Sequence, residues 1–319
     1  MSRARSLSSF AAMFGQPRRS TALSRRSWLS LSAASGVAAA AALGAQAATP
    51  AVAAADDPSW KIEKGRVKQS VVQWCFNPMP LEELARAAAA LGLKSVEIVA
   101  PEDWPILKKY GLVCAMTPSH GFVRGLNHTE HHAECIEKLT SAIEATAAAG
   151  FPSVITFSGM RQGLSDEEGI KNTVAGLKKI LPLAEKRGVN LCIEPLNTRV
   201  DIEMKGHPDY QCDRVEWAVE VCDRIGSPRM KILFDIYHTQ IMQGDVITRI
   251  RQFKDYIGHY HTAGVPGRND LDVMQEINYP AVMQAIVDTG YQGYVGQEYI
   301  PLGTDKIGAL RRGVRLCDV

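Results

Sequence analysis

From Leu91 to Gly296 one pattern repeats along the chain: a helical run ends at a glycine, and a short apolar run follows at once. AALGLKSVEIV, KKYGLVCAM, AAAGFPSVITF, EKRGVNLCIE, DRIGSPRMKILFD and VDTGYQGYVGQE are its instances. A glycine after the last helical turn adopts the left-handed conformation at low steric cost, so it stops the helix. The apolar runs are nearly continuous rather than alternating, as expected for parallel strands covered on both faces. The pattern predicts strands at Lys68–Phe76, Ser95–Ala100, Leu112–Pro118, Ser153–Ser158, Asn190–Pro195, Lys231–Ile236, Ile257–Thr262 and Tyr294–Tyr299.

Strands alternating with helices over about 260 residues predict a closed (β/α)8 TIM barrel. The alternative is an open, doubly wound sheet. It would place a glycine-rich dinucleotide loop after the first strand, where Trp74-Cys75-Phe76-Asn77-Pro78 stands instead. No linker, low-complexity run or charge block divides residues 56–319, which are read as a single catalytic domain.

Residues 1–55 break the pattern. Ser24-Arg25-Arg26-Ser27-Trp28-Leu29 precedes an uncharged, Ala-rich run, and two small-x-small sites follow at Ala45-Gln46-Ala47 and Ala53-Ala54-Ala55. This is the layout of a twin-arginine signal peptide and linker, which predicts export to the periplasm. Its removal changes the charge. Six arginines and no acid lie before Ala47, so the full-chain balance of +2 becomes 30 basic against 34 acidic residues, or −4. No basic footprint for nucleic acid remains. Nothing after Ala55 is apolar for long enough to span a bilayer, so no stable membrane association is expected after cleavage. What remains is a small-molecule partner, and a homo-oligomer stays open.

Seven cysteines, Cys75, Cys114, Cys135, Cys192, Cys212, Cys222 and Cys317, are scattered without a CxxC pair. They read as small buried apolar residues, with a disulfide formed after export as the alternative.

In a barrel the chemistry sits at the C-terminal ends of the strands. From the fifth strand onward those ends read CIEP, FDIYH, HYH and GQEY, and each presents a metal-competent side chain at the same face: Glu194, Asp235, His261 and Glu298. Singly, each residue suits a helix cap or a structural histidine. Together, three acids converging on one mouth would repel one another unless a cation or protons neutralised them. The donor set suits a divalent metal ion, Mn²⁺ or Mg²⁺ before Co²⁺ or Zn²⁺.

Ile193-Glu194-Pro195-Leu196-Asn197-Thr198-Arg199, Phe234-Asp235-Ile236-Tyr237-His238, Gly258-His259 through Val265-Pro266-Gly267-Arg268, Glu276-Ile277-Asn278-Tyr279-Pro280 and Gly296-Gln297-Glu298-Tyr299 together resemble the hydroxypyruvate isomerase family. That family belongs to the xylose isomerase-like TIM barrels, as do the ketose 3-epimerases. The resemblance implies that Glu194 and Glu298 both bind the metal and exchange the proton, that Asp235 is a ligand, and that His238 contacts a substrate oxygen. It departs at the fourth ligand: hydroxypyruvate isomerases usually have Gln where His261 stands, and ketose epimerases have His.

Arg268, in the turn after His261, is expected to face an anionic or hydroxyl-rich substrate, and His120 to bind substrate beyond the third strand. Glu97, Asn197 and Arg199 are weaker candidates, Glu97 as a support behind the ligands. His131 and His132, in a helical stretch, are read as surface residues. The activity implied is aldose–ketose isomerisation of a small hydroxy-carbonyl compound or sugar by proton transfer between two glutamates. Ketose 3-epimerisation and lyase or hydrolase action on a 3-keto glycoside are the enzymatic alternatives. A non-catalytic sugar-binding protein is the alternative of another class.

Overall fold

The structure, a computed structural model, describes residues 57–319. The segment read as a signal peptide lies outside the described residues. Among the described residues seven strands form one parallel sheet: β1 (Lys68–Val72), β2 (Ser95–Glu97), β3 (Ser153–Thr156), β4 (Asn190–Ile193), β5 (Met230–Asp235), β6 (Ile257–Thr262) and β7 (Tyr294–Gln297). Their order is β2-β1-β7-β6-β5-β4-β3. The predicted eighth strand, Leu112–Pro118, is an irregular segment that closes the ring between the two edge strands. Val113 bridges Ser95 and Thr117 bridges Val154, both parallel. Its ladder is broken locally because Ala115 N–H donates to the Ser95 hydroxyl (2.9 Å) rather than to a carbonyl, and because Pro118 has no N–H to continue it. The fold is thus a (β/α)8-like barrel of the predicted kind.

Most strands stop two or three residues short of the predicted ends, because the chain turns out towards the barrel mouth there. After β1 it enters a 3-10 turn, Gln73–Phe76. Beyond β4, Pro195 cannot donate to a ladder. After β5, the Asp235 side chain caps the helix Ile236–Met242 by accepting from His238 N–H at 3.0 Å. The chemistry-bearing residues therefore sit at or just past the strand ends.

Outside the ring, the helix Asp166–Arg187 shows how local signals and packing agree. The Ser165 hydroxyl accepts from Glu168 N–H, three acids occupy the first turn, and Lys186 and Arg187 occupy the last. Charges so placed complement the helix dipole. Gly188 then ends the helix at φ 72°. Its Leu177, Ile180 and Leu181 join Leu191 and Ile193 of β4 in one apolar cluster, each buried side chain of this size contributing about 1.5–3 kcal/mol. All seven cysteines are buried and unpaired, in keeping with their reading as apolar residues. A further expectation fails. His132 is a buried residue, not a surface one, because its ring nitrogen satisfies the Leu126 carbonyl at 2.9 Å from the first turn of its helix. No helix among the described residues is long and apolar enough to cross a membrane.

Candidate functional site

Side chains alternate across a strand, so residues two apart share a face. A register shift opposite Ile232 and Leu233 pairs His259 with Leu233 and His261 with Asp235, and β6 in turn pairs His261 with Gly296. Glu194 and Glu298 follow immediately after β4 and β7. Glu194, Asp235, His261 and Glu298 thereby meet at the mouth, all buried, with one ligand atom from each lying within 4.8 Å of the others. The four residues singled out along the sequence are the four the fold brings together.

Three of the converging atoms, Glu194 Oε1, Asp235 Oδ2 and His261 Nδ1, are buried without a hydrogen-bond partner. His261 Nδ1 lies 2.9 Å from Glu298 Oε2 and 3.7 Å from Glu194 Oε1, without hydrogen-bond alignment to either. Orphaned polar atoms cost about 1–3 kcal/mol each. Buried donor atoms gathered this closely and unsatisfied by protein fit a divalent cation. The charge balance says the same. Burial raises Glu194 above the usual carboxylate range and pushes Asp235 up to about 7, with Glu298 adding to both. Burial also works against Glu298, but the Arg268 guanidinium and then His261 hold it well below.

Glu97 stands behind the ligand histidine, the supporting place expected of it. Its Oε2 lies 3.2 Å from His261 Nε2 and 2.7 Å from His259 Nε2, deep inside the barrel. Burial opposes its ionisation, yet His259 and His261 bring Glu97 down to about 2. A carboxylate on the far nitrogen orients an imidazole and raises its basicity as a ligand, so Glu97 turns Nδ1 of His261 towards the acids.

Arg268, at φ 56°, is buried with its guanidinium near the rings of Trp74 and Tyr237. Its Nη2 donates to Glu298 Oε2 at 2.5 Å and lies 3.6 Å from Asp235 Oδ2. A cavity of about 270 Å³ opens beside the cluster. Glu194, Glu298, Arg268 and His120 line it, together with two residues the sequence reading missed, Trp74 and His207. Trp74 donates its indole N–H to Glu298 Oε1 at 3.3 Å. Neither carried a signal: Trp74 lies in a 3-10 turn, and His207 stands alone in a long loop.

His120 accepts from the Thr156 hydroxyl at 2.9 Å and donates from Nδ1 to the Gly121 carbonyl at 3.1 Å. Burial lowers it to about 4, so it is a neutral wall of the cavity. His238 is buried beside Asp235, its Nε2 3.7 Å from Asp235 Oδ2. Asn197 is buried against His238, whereas Arg199 is exposed and bonds to the Ile241 carbonyl, away from the cluster.

The cluster can neutralise and hold a divalent ion, and it leaves two of its four members, Glu194 and Glu298, on the cavity wall. The metal preference is testable through His261→Gln. An amide oxygen replaces an imidazole nitrogen at a hard ion better than at a softer one. Competition titrations should therefore show zinc and cobalt weakened more than manganese or magnesium. Unchanged affinity for all four would remove His261 from the ligand set.

Similarities to known proteins agree with this architecture. The hydroxypyruvate isomerase of Escherichia coli is 28% identical over 242 residues, 69% of this chain and 88% of that protein. The 2-oxo-tetronate isomerase of Pectobacterium atrosepticum is 28% identical over 246 residues, 73% of this chain and 91% of that protein. Among solved structures, an AP endonuclease of family 2 from Brucella melitensis superposes with a TM-score of 0.66 at 25% identity, over 76% of this chain and 96% of its own. The sequence profile described as "Xylose isomerase-like TIM barrel" matches residues 37–316. With that match spanning most of the chain, and with the barrel and its mouth cluster in place, the protein belongs to the xylose isomerase-like TIM barrel family and is related to the hydroxypyruvate and 2-oxo-tetronate isomerases.

Proposed function

We propose that this protein is a metal-dependent aldose–ketose isomerase of the hydroxypyruvate isomerase type, acting on a small hydroxy-carbonyl compound or sugar. One observation carries the reading: of the four converging residues, Glu194 and Glu298 alone also line the cavity. Each can therefore face both a bound ion and a substrate carbon. A carbon-bound proton beside a carbonyl is weakly acidic, and its transfer needs a positioned base and an acid. One glutamate removes the proton and the same or the other group returns it to the neighbouring carbon. Asp235 and His261, off the cavity wall, would hold a divalent ion together with the two glutamates. When bound, a divalent ion supplies Lewis-acid stabilisation of the negative charge that develops on the substrate oxygens. The neutral ring of His120 and the guanidinium of Arg268 orient the substrate from the cavity wall, and His238 does so from beside Asp235.

The test is to incubate the Mn²⁺- or Mg²⁺-loaded protein in D₂O with hydroxypyruvate, ketoses and 3-keto sugars, and to follow deuterium incorporation by NMR. Label at the carbon next to a carbonyl, with conversion to the isomer, is the expected result. No exchange into any of them would end the proposal. His261 favours a second reading, ketose 3-epimerisation, since it stands where the resemblance places Gln in the isomerases. Label introduced at the carbon that lost its proton, with inverted configuration there, would select it.

We also propose export by the twin-arginine route, supported by Arg25-Arg26 ahead of the Ala-rich run. Replacing both with lysine keeps the charge but removes the guanidinium pair. Cell fractionation should then find precursor accumulating in the cytoplasm, and undiminished export would sink the idea.

A further inference from the structure

His238 and Asn197 are both fully enclosed, at 1% and 0% exposure. Two donors meet at one nitrogen of the ring. The main-chain N–H of Asn197 points at His238 Nδ1 from 3.0 Å, and its side-chain amide nitrogen lies 2.7 Å from the same atom. The orientation of that amide is set independently of the histidine. Asn197 Nδ2 also donates to the Lys205 carbonyl at 2.8 Å, and Asn197 Oδ1 accepts from Val200 N–H at 3.1 Å. A flipped amide would put oxygen against the Lys205 carbonyl and N–H against N–H at Val200.

His238 Nδ1 therefore faces donors only. A proton there would point at two N–H groups, so the lone pair must stay and the neutral ring must carry its proton on Nε2. Nε2 is buried and has no hydrogen-bond partner. It faces the carboxylate cluster, 3.7 Å from Asp235 Oδ2. Two further rings flank the imidazole, Tyr237 with centroids 5.1 Å apart and His207 at 5.9 Å.

We propose that Asn197 is a positioning residue that fixes His238 as a neutral Nε2–H tautomer, an uncharged donor aimed into the site. Resting on the isomerase reading above, this donor serves a substrate oxygen beside the cluster.

The tautomer can be read directly. In the full-length, Mg²⁺-loaded protein labelled with ¹⁵N-histidine, long-range ¹H–¹⁵N spectra at neutral pH should show His238 with Nδ1 bare and Nε2 protonated, the assignment being made with His238→Gln. Asn197→Asp places an acceptor at Nδ1 and should draw the proton onto it. Asn197→Ala keeps the main-chain donor and should retain the wild-type tautomer in most molecules. A wild-type ring protonated on Nδ1, or on both nitrogens, would overturn the assignment without any variant having to fold. So would a folded Asn197→Asp protein with an unchanged tautomer. Deuterium exchange into hydroxypyruvate tests the isomerase reading separately, so the failure of either is recognisable.

Discussion

Glu298→Gln lowers turnover by roughly 10²–10⁴-fold, the range for loss of a general acid or base, while a divalent ion still binds less tightly. Glutamine keeps the size of the side chain and one oxygen. That oxygen can accept from Arg268 Nη2, now 2.5 Å from Glu298 Oε2, and can face the ion, but it cannot take a proton from carbon. Because Arg268 also lies 3.6 Å from Asp235 Oδ2, the buried guanidinium keeps a carboxylate neighbour and the variant should fold. Glu194→Gln should behave alike if the proton passes between two carboxylates. Steady-state rates and solvent deuterium uptake, measured side by side, separate the roles. A variant that exchanges deuterium yet forms no product has lost the returning acid, and its counterpart is then the abstracting base. Near-normal turnover in Glu298→Gln would mean that another group carries the proton, and the two-carboxylate mechanism would fall.

Gly296→Ala should weaken metal binding and stability together. Gly296 pairs with His261 across β6 and β7. A Cβ there would sit 2.7 Å from Glu97 Oε1 and 2.9 Å from His261 Cδ2. Both neighbours are fully buried and tied to each other, so neither can swing away into solvent. Overpacking of this kind costs roughly 1–3 kcal/mol, or a melting temperature lower by roughly 2–4 °C per kcal/mol. Displacing the Glu97 carboxylate from His261 should also cost about 10–100-fold in metal affinity. Calorimetric titration with Mn²⁺ and a thermal melt of the unloaded protein give the two numbers. If the melt shifts but the affinity holds, Glu97 does not orient the ligand histidine. If neither changes, the glycine is not required by this contact.

Much of the barrel was legible along the chain because its signals are local. A helix stopped by Gly188 or Gly226 and an apolar run after it need only neighbouring residues to declare themselves, and both helices do end with those glycines left-handed. Strand ends were less legible, because they depend on where the chain leaves the ring. The segment around Val113 pairs with β2 and β3 only through bridges, one of its N–H groups being taken by the Ser95 hydroxyl. His132 looked like a surface residue since periodicity alone does not show that the Leu126 carbonyl lies within reach of its ring.

By itself the sequence determined the βα alternation, the absence of a dinucleotide loop and the placement of Glu194, Asp235, His261 and Glu298 at successive strand ends. Tertiary structure decided which way those side chains face. A shift of one residue between β5 and β6 sets His261, not Tyr260, opposite Asp235. The Glu97 carboxylate, 164 positions away, then turns the His261 ring, and Asn197 sets the proton on His238 from 41 positions away. The physical reason is that backbone preference acts over a few residues. Strand register and ring orientation are fixed only when partners distant in the chain are buried together, where an unpaired polar atom costs too much to tolerate.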